Sequence, residues 1–228
     1  MTLYYADDAV TLYHGDCREI REWLAADVLV TDPPYGRNWQ SGSGMTNSEG
    51  RGRGSKARGG IVGDEDTTTR DYALALWGDR LGVVFGDLLI AQPAGAVQAL
   101  IYAKPLDAGV KGARGGRRRD AEAVYLTGAW PAGAGGKSSI LRTSGLTAGP
   151  TGTATRVGHP HAKPVDVMCE LLGMTSGRIA DPFAGGGSTL IAARLLDRQA
   201  VGVEIEERYC EIIAKRLDQG VLEFGAAL

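Results

Sequence analysis

The sequence predicts an α/β fold built on a mostly parallel sheet, and two stretches of alternating strands and helices carry that prediction. Over residues 10–32, a strand, a helix and a second strand follow one another. Over residues 177–217, a strand, a glycine-rich loop, a helix, another strand and another helix do the same. The strands are short apolar runs such as Val28-Leu29-Val30, a pattern typical of strands covered on both faces.

Length and composition bound the class of protein. With 228 residues and 43% apolar side chains, the chain can bury a substantial core, and we expect a single domain over residues 1–228. It has no apolar run of about eighteen residues, so no membrane-spanning helix is expected, and residues 1–8 lack the features of a signal peptide. Three scattered cysteines, Cys17, Cys169 and Cys210, suggest reduced thiols in a cytoplasmic protein, not a disulfide or zinc framework.

The net charge of −2 is unevenly distributed along the chain. Residues 1–36 carry seven acids and two bases, and residues 164–228 carry ten acids and six bases. Residues 100–163, in contrast, carry ten bases and three acids. This basic middle segment indicates either a polyanionic partner or a solvated basic face.

Taken in order, the strand over 10–14 ends at Gly15-Asp16. Asp16 either caps the helix expected over 17–24 or accepts hydrogen bonds from a ligand above the sheet edge. Between the two alternating stretches, the pattern predicts a short helix over 72–77, strands over 81–85, 96–102 and 123–126, a strand-like run over 139–141 and a helix over 165–172.

The loop Thr31-Asp32-Pro33-Pro34-Tyr35-Gly36 follows the strand over 28–32. Asp32 offers a carboxylate acceptor, the prolines leave a carbonyl free to accept, and Tyr35 offers a ring for stacking. Together these groups suit a planar ring that bears an exocyclic amine. The alternative is an ordinary turn at a strand end.

Two glycine-rich basic segments follow this loop. Residues 37–66, which contain Arg51 and Arg53, are predicted to form a flexible basic loop that closes over a substrate or grips phosphates, or else a disordered insertion. Residues 105–158 contain a second basic cluster, which consists of Lys111, Arg114, Arg117, Arg118 and Arg119. We expect the arginines and lysine of both segments to contact DNA phosphates if the partner is a nucleic acid.

The segment from Arg178 to Ile205 carries the most specific pattern. Asp181-Pro182-Phe183-Ala184-Gly185-Gly186-Gly187 joins a strand to a helix, and the next strand ends in Glu204. Glycines let a backbone approach a ligand at a helix N-terminus, and an acid after the next strand can accept both hydroxyls of a ribose. The loop does not match the Gly-x-Gly-x-x-Gly pattern of nicotinamide cofactor sites.

His159-Pro160-His161-Ala162-Lys163-Pro164 precedes the helix over 165–172. Two histidines two residues apart raise the possibility of a metal, but the sequence supplies no further ligands at suitable spacing, so no metal is expected.

These three stretches, 31–36, 159–164 and 181–204, resemble in content and order the β class of S-adenosylmethionine-dependent DNA amino-methyltransferases. The resemblance implies a Rossmann-like, seven-stranded, mostly parallel sheet with helices on both faces and a circularly permuted motif order. It implies that residues 37–66 and 105–158 are variable regions of the family, and that 105–158 form a reduced target-recognition segment.

The resemblance also implies roles for individual residues. The catalytic positions are Asp32, Pro33, Pro34 and Tyr35, and the cofactor-binding positions are Asp16, His161, Lys163, Asp181, Phe183, Ala184, Gly185, Gly187 and Glu204. Within this group, Asp16 is placed near the cofactor adenine, and His161 and Lys163 near its methionine end.

The implied activity is methylation of the exocyclic N6 of a flipped-out adenine in DNA, with cytosine N4 as the alternative target. Glutamine-modifying relatives have Asn before Pro-Pro-Tyr, so Asp32 favours a base as the substrate. A catalytically silent nucleic-acid-binding subunit is a further alternative. DNA is the expected partner, a homodimer is compatible with the family, and the sequence identifies no restriction endonuclease.

Overall fold

The computed structural model describes residues 2–38, 60–105, 108–109, 113–133, 136–143, 157–159 and 161–225. Within these residues the strands are β1 (Thr2–Ala6), β2 (Val10–His14), β3 (Val28–Thr31), β4 (Gly82–Gly86), β5 (Ala96–Ala103), β6 (Ala121–Thr127), β7 (Ile140–Arg142), β8 (Ile179–Asp181) and β9 (Ala200–Glu204). The α-helices are α1 (Thr68–Trp77), α2 (Val165–Leu172), α3 (Ser188–Leu195) and α4 (Glu207–Gly225).

The strands form one sheet in the order β1-β2-β9-β8-β3-β4-β6-β5-β7. The pairs from β2 to β4 are parallel, whereas β6 runs antiparallel to both of its neighbours. The expected Rossmann-like sheet with permuted motif order is confirmed, because late strands β8 and β9 lie between early strands β2 and β3. The described sheet has nine strands instead of seven, since β1 and β7 add one strand at each edge.

The helix predicted over 17–24 is replaced by a short 3-10 helix, Glu22–Ala25. The indole N–H of Trp23 donates to the Cys17 carbonyl at 3.0 Å. A continuous α-helix would use that carbonyl to accept the backbone N–H of residue 21. The N–H of residue 21 donates instead to the Glu22 carboxylate at 2.9 Å, so the Cys17 carbonyl accepts the buried indole where a helix would pair it with the backbone.

Both faces of the sheet are covered by apolar side chains. One face packs against α2, α3 and α4 through residues such as Leu171, Leu190 and Ile213. The other packs against the 3-10 helix and α1, whose Trp23 and Trp77 rings stack with centroids 6.0 Å apart. This double coverage explains why the central strands are continuously apolar.

The topology brings the chemically interesting residues to one edge of the sheet. The carboxyl ends of β3, β8 and β9 meet there, because these strands are parallel. The start of β6 reaches the same edge, because β6 is antiparallel to β4. Among the described residues, no helix has the length and apolar character needed to cross a membrane.

Candidate active site

Asp32 lies immediately after β3, and both of its carboxylate oxygens are engaged. The Tyr35 hydroxyl donates to Oδ1 at 2.7 Å, and the Lys163 ammonium donates to Oδ2 at 2.6 Å. Burial, followed by the charge of Asp32, raises the pKa of Tyr35 well above its ordinary value, so its hydroxyl keeps the proton that it donates. The arrangement fixes a carboxylate at the sheet edge and leaves further lone pairs on each oxygen.

The loop that carries Asp32 is anchored by a residue that the sequence did not single out. The buried Asp64 side chain accepts the backbone N–H of Gly36 at 2.9 Å and that of Arg37 at 3.3 Å. Gly36 has φ of +78°, and a Cβ there would come within 2.9 Å of the Asp66 carbonyl carbon. Asp64 and Asp66, from the end of the predicted flexible loop, therefore pack against the Asp-Pro-Pro-Tyr loop, whereas residues 39–59, including Arg51 and Arg53, lie outside the described residues.

Lys163 lies beside Asp32, although the resemblance placed it at the methionine end of a cofactor. Its ammonium is also 3.4 Å from Oε2 of Glu122, near the start of β6. Glu122 in turn pairs with Lys104, which follows β5. Glu122 and Lys104 were missed by sequence reasoning, although a lone acid inside the apolar strand 121–127 is a signal that could have identified Glu122.

The glycine loop joins β8 to α3 as predicted. Gly185 and Gly187 adopt positive φ, at +51° and +78°, and Ala184 is buried beneath the loop. Asp181 is buried at the start of the loop, where the Thr31 hydroxyl donates to its Oδ1 at 2.6 Å and the Phe183 N–H does so at 3.2 Å. Burial raises the pKa of Asp181 to about 6.

Glu204 faces this loop from the end of β9. Its Oε2 accepts the Gly185 N–H at 2.7 Å, and its Oε1 accepts the Glu206 N–H at 2.8 Å. Burial raises the pKa of Glu204 to about 7, against the hydrogen bonds that lower it. Each oxygen retains a second lone pair, so the carboxylate can still accept two hydroxyls of a ligand.

The third motif packs against the glycine loop. A Cβ on Gly186 would lie 3.0 Å from a side-chain carbon of Val157 and 3.2 Å from the Cβ atoms of His159 and Ala162, so a larger residue would force these neighbours to shift. His161 follows in the same segment, and burial lowers the pKa of both histidines, that of His159 to about 3. Neutral imidazoles therefore line this side of the loop at pH 7.

Asp16 lies beside the end of β9, since the preceding Gly15 N–H donates to the Glu204 carbonyl at 2.9 Å. The Arg18 guanidinium forms two hydrogen bonds with Oδ2 of Asp16, at 3.0 and 2.5 Å. These hydrogen bonds lower the pKa of Asp16. A ligand that uses Asp16 would share it with Arg18.

Part of the basic cluster forms a tight hairpin. Arg114 and Arg117 pair across Gly115 and Gly116, whose positive φ values of 56° and 71° suit a two-residue turn. Both arginines are exposed, whereas Arg118 pairs with Asp120 at 2.9 Å. Lys111 lies outside the described residues.

Arg119 is linked through a shared carboxylate to Arg37, which follows the Asp-Pro-Pro-Tyr loop. Asp87, just beyond β4, accepts Arg119 at 3.1 Å and also pairs with Arg37. Burial raises the pKa of Asp87, but the hydrogen bond from Arg37 and the two positive charges outweigh it and lower that pKa.

Parts of this sequence are similar to known DNA methyltransferases. A family model described as DNA methylase, for N6 and N4 methyltransferases, matches residues 110–215, which contain the basic hairpin, Lys163 and the glycine loop. M.ScaI of Streptomyces caespitosus, a type II methyltransferase, is 39% identical over 66 residues, which are 28% of this chain and 22% of that protein. M.SmaI of Serratia marcescens is 37% identical over 51 residues, 22% of this chain and 18% of that protein. The aligned part therefore spans about a fifth of these relatives.

Solved structures extend the similarity to the whole fold. The M1.HpyAVI–SAM complex has a TM-score of 0.59 at 18% identity, over 91% of this chain and 98% of that chain. PvuII DNA methyltransferase, described as cytosine-N4-specific, has a TM-score of 0.61 at 14% identity, over 93% of this chain and 87% of that chain. Together with the family match, these similarities confirm that the chain resembles the DNA amino-methyltransferases in sequence and in fold.

Proposed function

We propose that this chain transfers a methyl group from S-adenosylmethionine to the exocyclic amine of a DNA base, and that the base is adenine. The observation that carries the proposal is the carboxylate of Asp32, which is held at the sheet edge by Tyr35 and Lys163. It follows β3, the strand next to β8, whose glycine loop faces a buried acid, Glu204.

The residues around the glycine loop fit this cofactor. Gly185, in the loop before α3, is only partly buried and has no side chain to cover its backbone, and Glu204 keeps acceptor capacity for the ribose hydroxyls. Asp16 is the residue expected near the adenine of the cofactor, and Asp181, Phe183, Ala184 and Gly187 belong to the loop that is expected to bind it. When bound, the cofactor supplies a methyl group on a positively charged sulfur. The similarity to M1.HpyAVI, solved with SAM, supports this choice.

The chain's own groups would act on the amine of the base. An amine conjugated to an aromatic ring is a poor nucleophile, because its lone pair is delocalised into the ring. Acceptance of its two N–H groups by Asp32 and by the Pro33 carbonyl would favour a pyramidal nitrogen and stabilise the positive charge that develops there. Pro34 keeps the turn rigid, and Tyr35 offers a ring for stacking once the base has left the duplex.

Adenine N6 and cytosine N4 are both compatible with these acceptors. The Asp at position 32 favours adenine on the basis of the resemblance. The similarity in fold to a cytosine-N4-specific enzyme favours the alternative. A silent DNA-binding subunit would retain cofactor and DNA binding without transfer.

One experiment separates these functions. The protein and its Asp32→Asn variant are expressed in a methylation-free host, and the DNA is digested to nucleosides for mass spectrometry. N6-methyladenine in the wild type and none in the variant supports the proposal. N4-methylcytosine overturns the choice of base, C5-methylcytosine overturns the mechanism, and unmodified DNA from a protein that binds the cofactor favours the silent subunit.

DNA is the proposed partner, and we place the reaction in the cytoplasm of a prokaryotic or phage-infected cell. Light scattering of the same sample tests the homodimer that the resemblance allows.

A further inference from the structure

Four side chains of alternating charge form a row behind the Asp-Pro-Pro-Tyr loop. Lys104 pairs with Glu122, Glu122 lies 3.4 Å from the Lys163 ammonium, and that ammonium lies 2.6 Å from Asp32. The four residues come from the end of β5, the start of β6, the segment before α2 and the end of β3. Residues that are far apart in the sequence therefore meet in this row.

The two middle members of the row, Lys163 and Glu122, are the most buried, whereas Lys104 at its far end is 23% exposed. The exposed fraction of the side chain is 24% for Asp32, 12% for Glu122 and 8% for Lys163. A buried ammonium needs a compensating charge, and removal of one partner leaves an uncompensated charge at high cost. Lys163 has two partners, and two acids balance the two lysines, so the row is neutral as a whole.

This sharing matters because each oxygen of the Asp32 carboxylate already accepts one hydrogen bond from the protein. Its Oδ1 accepts from Tyr35 and its Oδ2 from Lys163, yet the same oxygens must accept from the amine of the base. If Asp32 were the sole partner of Lys163, the ion pair would compete with the substrate. The ammonium would also oppose the positive charge that develops on the amine.

We propose that Glu122 is a positioning residue: as the second counter-ion of Lys163, it lets that ammonium hold Asp32 in place while the Asp32 carboxylate stays available to the substrate amine. Lys104 completes the arrangement by keeping Glu122 charged and oriented. The substrate part of this inference rests on the proposed function, whereas the charge coupling does not.

The charged and titratable groups that face Lys163 agree with this arrangement. Burial lowers the pKa of Lys163, but Asp32 and Glu122 outweigh it and raise that pKa. Burial likewise raises the pKa of Glu122, but Lys163 and Lys104 outweigh it and lower that pKa. Tyr35 and His161 face the same ammonium as neutral groups, and the Phe85 ring centroid lies 5.0 Å from it.

The coupling can be measured without any reaction. The chain has six lysines, so their ¹³Cε signals can be followed by NMR as the pH is raised to about 11, with Lys163→Arg to assign one signal. In Glu122→Gln the pKa of Lys163 should fall, because one of the two carboxylates that raise it is gone. Glu122→Asp should keep most of the wild-type value. Glu211→Gln, on the exposed face of α4, is the matched control and should leave Lys163 unchanged.

Kinetics then test the positioning role. In Glu122→Gln, kcat should fall by about tenfold to a hundredfold, the cofactor Kd should stay at its wild-type value, and the alkaline limb of kcat should move to lower pH. Glu122→Asp should restore much of kcat, and thermal melting of each variant reports its folding.

An unchanged Lys163 titration in Glu122→Gln overturns the coupling. A shifted titration with wild-type kcat overturns the positioning role. A wild-type protein that methylates no base refutes the proposed function instead, and the NMR result still decides whether Glu122 controls Lys163.

Discussion

Glu204 should make cofactor affinity depend on pH near neutrality. Its carboxyl is 7% exposed, and burial raises its pKa from the ordinary 4.5 to about 7. At pH 7 the free protein therefore holds Glu204 about half protonated. Ribose hydroxyls that donate to this side chain favour its ionised form, so binding should lower its pKa and release a proton.

The sign and the size of the effect follow from this linkage. Above pH 8 Glu204 is already ionised in the free protein, so the cofactor Kd should not change with pH. Below pH 7 the Kd should rise by about tenfold per pH unit, or about 1.4 kcal/mol, until the pKa of the bound form is reached. The rise of the Glu204 pKa from 4.5 to about 7 means that ionising this carboxyl in the free protein costs about 3 kcal/mol more than ionising an ordinary glutamate.

The same shift predicts the behaviour of the protein without ligand. Because the pKa of Glu204 is higher in the folded protein than in the unfolded chain, its contribution to the free energy of unfolding is fully present below pH 4.5. That contribution is lost as the pH rises through about 7. The cofactor should restore that stability, so the increase in Tm on cofactor addition should be larger at pH 8 than at pH 6.

Calorimetry between pH 5.5 and 8.5 with Glu204→Gln as the control tests this reasoning. The variant keeps the size of the side chain but cannot ionise, so its Kd should lose the inflection near 7. At pH 8 it should bind more weakly than the wild type by about 1.5–3 kcal/mol. An inflection near 6 that remains would belong to Asp181. Equal pH profiles in the two proteins would refute the role of Glu204.

Three further predictions concern separate parts of the molecule. Asp32→Asn should lower kcat by about 100-fold or more while the cofactor Kd changes little, and stopped-assay methyl transfer with calorimetry checks both. Replacing the exposed Arg114 and Arg117 by Gln should flatten the slope of log K against log salt by about one unit for each lost phosphate contact; an unchanged slope would mean a solvated hairpin. Gly187→Ala should lower the free energy of unfolding by about 1–3 kcal/mol in denaturant titrations, because φ is +78° and the new Cβ would lie 2.8 Å from a side chain of α4. The control Gly133→Ala, where a Cβ would meet open space, should not lower it.

The sequence predicted what depends on neighbours along the chain. The glycine loop, the strand that ends in Glu204 and the helix after Lys163 follow from local spacing, and each lies near its expected position. The helix over 17–24 was wrong in type: the Cys17 carbonyl accepts the Trp23 indole and the Arg21 N–H donates to the Glu22 side chain, so side-chain hydrogen bonds within this segment stand where the periodicity predicted helical ones.

The contacts that tune the site lie between distant segments, and sequence spacing does not encode them. Lys163 and Asp32 are 131 positions apart, and the resemblance did not imply this contact, while the expected place of Lys163 near the methionine end of the cofactor stays a prediction. The sequence of β6 marks Glu122 as a lone acid in an apolar strand, but its place at the site follows from the antiparallel direction of β6, which brings the first residues of that strand to the carboxyl edge of β3 and β8. The side-chain roles proposed from sequence otherwise remain predictions.

A hydrogen bond connects the start of the Asp-Pro-Pro-Tyr loop to the start of the glycine loop. Thr31 precedes Asp32, Asp181 begins the glycine loop, and the Thr31 hydroxyl donates to the Asp181 carboxylate at 2.6 Å. Their strands, β3 and β8, are parallel neighbours, so the loops start about 4.8 Å apart whatever their own conformations. The sheet itself therefore sets the distance between the starts of the two loops that carry the proposed acceptor carboxylate and the proposed cofactor site. In-line methyl transfer requires that fixed spacing, because a small misplacement of the reacting atoms costs orders of magnitude in rate.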